Sequence, residues 1–434
     1  MRRILGFLWG LILAVPAMGA TIINDTEIER HLTELVAPLA TAAGIPDGRL
    51  KIQIVHDDDF NAFVRGGEDV FIYTGLLTQI KTPDALQAVV AHEMGHTIGG
   101  HMAQMSSRMD AEMRRAMIIQ ALGVGLMVAG GNPSLGAGVL AGSSGVANQS
   151  MLAFSRDEER MADNLGMDLM MRAAQDPNGF ITVFEQMRNI TGAAESRINP
   201  NKINHPLTTE RLKNVRDYIA NHPPKSIPDA ETTARRIAEY ERIRAKLIGY
   251  LDGADRVWTT YPNTDKSDAA IYARAIANMR RGNLDAARVG VGTLIGRTPK
   301  NPYYYELLGD IEYQFGHYDT SVDAYEMAIQ YAGDAPQIQT ALALVLAERN
   351  KPGDNARAIN LCRAALLNAP APLTYWVLGR AFGPDDGRSD WAMAEFYYMN
   401  GDKKSADTYA RRAQKRLKSD SPEYIKSGDL IHKK

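Results

Sequence analysis

A chain of 434 residues, 45% hydrophobic and 23% charged, is too long for one small core and too ordinary in composition for wholesale disorder or a polytopic membrane protein. The usual domain size divides it into about two or three units. A formal net charge of −2, with no basic stripe, leaves the attraction that dominates nucleic-acid binding without a source, and nucleic acid is set aside as a partner.

At the front, Arg2 and Arg3 precede an apolar run from Ile4 to Val15 and the small residues Ala17-Met18-Gly19-Ala20, the pattern of an export signal peptide over 1–20 cleaved near residue 19 or 20. An uncleaved membrane anchor is the alternative, although the run is shorter than the ~20 residues that span a bilayer. No cysteine near the cleavage region offers lipid attachment. The single cysteine, Cys362, reads as a buried structural thiol in a later helix.

The next unit, 21–224, alternates strand-like and helical stretches. Lys51–His56 and Asp69–Tyr73 are rich in β-branched and aromatic residues, and Gly66-Gly67 marks a turn, which predicts a small sheet. Pro83 and Asp84 after Thr82 open a helix expected to run to about Ile119. Residues 116–147 then combine an apolar run, Ile118–Val128, with eight glycines between Gly123 and Gly145. They read either as a helix followed by a mobile loop, or as a segment that rests on a membrane surface or lids the site.

A helical linker, 225–266, leads into polar helices with a fixed period. Gly282 and Gly316 are 34 residues apart, as are Ile271 and Tyr305, Ala275 and Gly309, and Ala287 and Ser321. That is the period of the tetratricopeptide repeat, a helix-turn-helix unit with small residues where its helices cross. The stretch Pro302–Ala335 fits best, with Tyr305, Leu308, Gly309, Gly316, Tyr325 and Ala328 at pattern positions. The next unit needs about three extra residues near Lys351-Pro352-Gly353, and Ala406 and Ala413 after Gly401-Asp402 suggest a fourth. The repeat domain is placed at 267–420 with a tail at 421–434, and an unrelated helical bundle is the alternative. Such units stack because none buries its apolar face alone, and the face they create binds peptides or proteins.

The chemistry lies in His92-Glu93-Met94-Gly95-His96. Two histidines four apart on a helix project side by side, about 40° apart around the axis, so both imidazoles reach one Zn²⁺. Glu93 then lies next to the metal's open position, where it can take a proton from a water acidified by the zinc and pass it to the leaving amine. A third ligand is offered by Ser155-Arg156-Asp157-Glu158-Glu159-Arg160-Met161-Ala162-Asp163. Glu159 and Asp163 lie one turn apart, so one carboxylate can bind the metal while the other accepts the N–H of a ligating histidine. That spacing favours Glu159 over Glu158. His101, nine residues from His92, points to the other side of the helix and reads as structural; His56 ends a strand and has no visible partner.

HEMGH, the SRDEERMAD segment and the preceding Asn61-Ala62-Phe63, Gly66-Gly67 and Tyr73-Thr74-Gly75-Leu76-Leu77 together resemble the M48 peptidase family. The resemblance implies an α+β fold: a mainly helical gluzincin-type metallopeptidase domain with a small sheet, here followed by an all-α repeat solenoid. It implies one zinc per chain, with Glu159 as third ligand and Asp163 as an outer acid sometimes given a proton-donor role. It also implies that the His-Pro loop containing His205, in Asn204-His205-Pro206-Leu207, lies over the active site and can fill zinc's fourth position; on its sequence alone His205 reads as a turn residue. Arg65 and Glu68 put more charge near the edge strand than the family pattern leads one to expect.

Two functional readings follow. The first is a periplasmic zinc endopeptidase that degrades unfolded or misassembled envelope and outer-membrane polypeptides, the substrate strand adding to the sheet edge near Val64–Tyr73. The second is a chaperone or adaptor whose repeats dock on outer-membrane assembly machinery while the protease stays mostly latent. A repeat scaffold with a vestigial metal site is a third, disfavoured because every expected ligand is present.

Overall fold

The computed structural model describes residues 15–17, 20–100, 156–192, 205 and 209–432. Most of the expected leader, His101, the glycine-rich segment 116–147 and Pro206 lie outside them. The architecture is α+β, mainly helical with a small N-terminal sheet and a long helical array behind it, as expected.

Strands β1 (Val15–Ala17) and β2 (Ala20–Ile23) pair antiparallel, and β2 pairs with β3 (Lys51–His56) with Thr21 opposite His56. Between β2 and β3 runs α1 (Thr26–Ala42). Asp25 sets its start, because its carboxylate accepts the Ile28 N–H at 2.9 Å and satisfies a donor the helix leaves open. A hairpin follows, β4 (Ala62–Arg65) against β5 (Asp69–Tyr73), with Ala62 opposite Ile72. Its turn needs φ of +63° and +84° at Gly66 and Gly67, which glycine alone adopts without strain. Then come α2 (Thr74–Gln79), α3 (Pro83–Ile98), α4 (Arg156–Arg172), α5 (Gly179–Gly192), α6 (Thr209–Asn221), α7 (Ala230–Leu251) and α8 (Ala254–Thr260). Helix α3 ends at Ile98 and does not continue toward Ile119, because Gly99 caps it and Gly100 turns into the left-handed region at φ +69°.

Two compact units result, one of Leu32–Ile52 with Asp58–Ile237, the other of Met1–His31, Gln53–Asp57 and Ala238–Lys434. In the first, α3 is the central element, packed against α4, α5 and β4. Ala85, Leu86, Gln87, Ala88, Val90 and Ala91 are all buried, so the helix is apolar nearly all round, as a surrounded helix must be. Its one buried amide, Gln87, donates to the Leu35 carbonyl at 2.7 Å and to Gln175 at 3.0 Å.

The second unit carries the repeats: α9 (Asp268–Arg280), α10 (Leu284–Arg297), α11 (Pro302–Gln314), α12 (Tyr318–Ala332), α13 (Pro336–Arg349), α14 (Asp354–Asn368), α15 (Pro372–Phe382), α16 (Gly387–Met399), α17 (Lys403–Arg416) and α18 (Pro422–His432). First helices begin at 268, 302 and 336, two steps of 34, and the next at 372, a step of 36. The buried Ser321, Tyr325 and Ala328 of α12 recur as Ala358, Cys362 and Ala365 of α14, 37 residues on, so three extra residues precede α14 as expected, at the left-handed Gly353, and one is given back before α15. The small residues sit where helices cross: a Cβ on Gly309 would come within 2.9 Å of the Tyr325 ring, and Ser321 donates to the Gly309 carbonyl at 2.8 Å. Cys362 is buried in α14 among apolar side chains, which push its thiol up to about 12.

The α3–α4 crossing depends on glycine in the same way. A Cβ on Gly95 would lie 2.5 Å from the Ala162 carbonyl oxygen, a backbone atom with no freedom to yield. Gly95→Ala is expected to force the helices apart, cost about 1–3 kcal/mol and lower the Tm of metal-free protein. A melting curve unchanged from the parent's would show that the two helices need no such approach.

Candidate metal centre

Burial assembles this site from three elements and one isolated residue. α3 supplies His92, Glu93 and His96, α4 supplies Glu159 and Asp163, α6 supplies Arg211, and His205 joins them. His96, Glu159 and Asp163 are at most 3% exposed. His92, His96, Glu159 and His205 each direct one nitrogen or oxygen inward, all within 4.8 Å of one another. The Nε2 atoms of His92 and His96 are 3.1 Å apart, and Glu159 oxygens lie 3.4 Å and 3.5 Å from them. Glu158 is buried but is not among these four.

Outside this cluster, the His92 Nδ1 is 2.9 Å from an Asp163 oxygen. With its proton on Nδ1 for Asp163, His92 turns the Nε2 lone pair toward the cluster. Arg211 holds Asp163 through Nε at 2.9 Å and Nη2 at 2.8 Å, and its Nη1 reaches Glu159 at 2.7 Å. The guanidinium also lies over the Phe184 ring, 5.0 Å from its centre. The His205 Nδ1 is 2.7 Å from Glu159 and 3.4 Å from the His92 Nε2, and its Nε2 is 3.4 Å from Glu93.

Electrostatics follow from burying so many charges together. Burial pulls the His92 imidazole down, but hydrogen bonds to Asp163 and Glu159 outweigh it and raise it to about 9. His96 is pulled down to about 4, chiefly by burial. Burial pushes Glu159 up, yet hydrogen bonds from His205, His92 and His96 hold it well below the usual carboxylate range. Asp163 is likewise lowered against its burial by His92 and Arg211. Glu93 differs: burial raises it despite the nearby His205 and His92. A buried set of two imidazoles and an anionic carboxylate, their free lone pairs convergent, is the donor chemistry that a divalent metal requires. His205 adds a third imidazole, a fourth donor, within reach.

All six residues singled out from the sequence, His92, Glu93, His96, Glu159, Asp163 and His205, meet here. Arg211, expected from the sequence to hold the His205 loop through a carboxylate, grips two, Asp163 and Glu159, and the sequence did not tell which. Reasoning from sequence also missed the wall beside the site. Phe60, Leu76, Phe180, Val183, Phe184 and Met187 line an apolar cleft that opens onto His92 and Glu93, and their spacing alone reads as ordinary helix core.

Residues 26–219 match the model of Peptidase family M48. This segment is an M48 metallopeptidase domain. The chain is 25% identical over 348 residues to the β-barrel assembly-enhancing protease of Escherichia coli K12, covering 79% of this chain and 69% of that protein. The protein of the same name from Yersinia pestis is 24% identical over 393 residues, covering 87% and 76%. The mitochondrial metalloendopeptidase OMA1 of Schizosaccharomyces pombe is 28% identical over 195 residues, 44% of this chain and 52% of that one. A solved TPR protein from Thermus thermophilus overlaps 46% of this chain and 94% of its own at 16% identity, with a TM-score of 0.26 that carries no weight beside the helix spacing.

The M48 domain's outer carboxylate offers a direct test. Asp163→Asn removes the charge that orients His92 and leaves Arg211 with one partner, so metal affinity is expected to fall about 10–100-fold. Competition with a chromogenic chelator measures it, and an unchanged affinity would remove Asp163 from the orienting role.

Proposed function

We propose that this metallopeptidase is an exported, periplasmic zinc endopeptidase that cleaves unfolded or misassembled envelope polypeptides, with its repeats holding substrate or outer-membrane assembly machinery. The observation that carries the reading is the buried convergence of His92, His96 and Glu159 beside the raised carboxyl of Glu93. Those three side chains would hold a zinc ion, which when bound would supply a Lewis acid for acidifying water and polarising the peptide carbonyl. Glu93, as carboxylate, would accept the proton of the attacking water and deliver it to the leaving amine, and the burial that raises its proton affinity suits it to hold that proton in between. Asp163 keeps His92 in the tautomer that donates its Nε2 lone pair, and Arg211 balances the two carboxylates.

Substrate geometry points the same way. Among the described residues β4 is the terminal strand of the sheet and packs against α3, so an extended polypeptide can add to its outer edge and pass the site. Arg65 at the end of that strand pairs with Asp69 at 3.2 Å and stacks on Phe71, which takes up its charge within the hairpin. The apolar cleft beside His92 suits an aliphatic or aromatic side chain of the substrate. Envelope substrates and assembly machinery are supported by the names of the relatives from Escherichia coli and Yersinia pestis.

A second reading, a chaperone or adaptor with a mostly latent protease, is favoured by His205. Its nitrogens contact both Glu159 and Glu93, so it occupies the place where water and substrate must enter.

Glu93→Gln keeps size and loses the base. Cleavage of a urea-unfolded outer-membrane β-barrel protein should drop by about 10²–10⁴-fold with zinc content intact, and unchanged cleavage in that variant would end the catalytic assignment. His205→Ala should accelerate cleavage of the same substrate while zinc stays bound, because three ligands suffice for affinity. A slower, zinc-loaded enzyme would reassign His205 to transition-state stabilisation.

A further inference from the structure

In the repeat-bearing unit, the 34-residue period puts Tyr272, Glu306 and Thr340 at one position of successive first helices, α9, α11 and α13, and Thr374 at the start of α15 lies beside Thr340. They form a row on the face with which repeat arrays hold peptides. Thr340 and Thr374 touch through their hydroxyls at 2.9 Å. Polar residues at such positions are ordinarily exposed. Here Tyr272, Glu306, Thr340 and Thr374 are all buried, at most 5% exposed, so something covers the row.

The cover is the chain's own N-terminal segment. The Tyr272 hydroxyl donates to Glu27 at 3.0 Å. Lys246 on α7, buried beside Glu306 at 3.1 Å, pairs with Asp25 at 2.8 Å and Glu27 at 3.2 Å. Arg242, one turn earlier, pairs with Glu27 as well. Thr26 bonds to Gln337 at the start of α13, and Arg30 donates to the carbonyls of Ala332 and Asp334 at 3.0 Å and 2.8 Å. Four of its seven residues, Asp25, Thr26, Glu27 and Arg30, thus bond to α7, α9, the end of α12 and the start of α13. Two cations, Lys246 and Arg242, meet two carboxylates from the segment, while burial raises the carboxyl of Glu306 beside them.

We propose that Asn24–Arg30 is a peptide ligand of the repeat array carried on the same chain, and that the row with Lys246 and Arg242 is a binding site for an acidic segment of this kind. Its recognition chemistry is a pair of carboxylates two residues apart at a helix start, taken by one ammonium, one guanidinium and a tyrosine hydroxyl. Tethering gives the resident segment an effective concentration on the order of millimolar, so a free competitor binds poorly while it is seated. A partner using the same row must carry matching carboxylates and displace it.

The test uses the full chain and a fluorescent peptide of residues 21–34. The peptide should bind Asp25→Ala/Glu27→Ala protein at least about tenfold more tightly than the parent, since the resident is weakened and the socket kept. That double variant retains Glu306 as partner for Lys246, and circular dichroism checks its fold. Adding Lys246→Ala to the protein, or making the Asp25→Asn and Glu27→Gln changes in the peptide, should abolish binding. Equal binding to parent and double variant, or none to a folded double variant, overturns the proposal. A second measurement covers a variant that does not fold: trypsin should leave the Arg30–His31 bond of native parent protein intact until the repeats unfold. Rapid cleavage there with folded repeats also overturns it.

Discussion

The metal centre rests on a contact that is not itself chemical, the backbone approach of α3 to α4 at Gly95 and Ala162. With 2.5 Å between a would-be Cβ and a carbonyl oxygen, no other residue fits inside the motif at that position without moving a helix. Gly166, one turn beyond Ala162, repeats the constraint, since a Cβ there would meet the Ala91 backbone at 3.0 Å. Because the two helices touch along backbone, the side chains that flank the contact meet across it. His92 and His96 on one helix then face Glu159 and Asp163 on the other at hydrogen-bond distance, with no loop needed to carry any of the four.

Placing those groups in a closed interior has an electrostatic consequence. Every charge there loses its water, and the site persists only because each finds an opposite partner. Asp163 shows this best: it accepts from His92 and is forked by Arg211, so its depressed pKa measures partners that outweigh burial. The socket around Lys246 follows the same rule in another part of the molecule, with Asp25, Glu27 and Glu306 around one ammonium. Glu93 and Glu306 are the exceptions in their respective groups, carboxyls pushed up by burial, and in Glu93 that suits a residue that must both take and release a proton.

Much of this was legible beforehand, for a local reason. A four-residue step on a helix puts His92 beside His96 and Glu159 beside Asp163 whatever surrounds them, so the ligand pairs could be read without knowing where the helices lie. The strands Lys51–His56 and Asp69–Tyr73 have the bounds their composition suggests. The 34-residue period likewise carried Gly282 and Gly316 to the same backbone conformation, φ +80° and +79°. The end of α3 was not legible from its apolar content, because the glycine pair at 99–100 outweighs propensity farther along.

By itself the sequence determined what adjacency on one helix or repetition at one interval can determine: the histidine pair, the acid pair, the period of the array and its small crossing residues. Tertiary structure alone decided which partners those pairs would face. Nothing in the spacing from Arg211 back to Asp163, or from Glu27 to Lys246 some two hundred residues on, marks them as neighbours. A buried charge chooses its counterpart by position in space, and one-dimensional spacing does not encode that. The covering of the repeat face by Asn24–Arg30 belongs to the same class, as the start of the first helix becomes a ligand only when the array that receives it has folded.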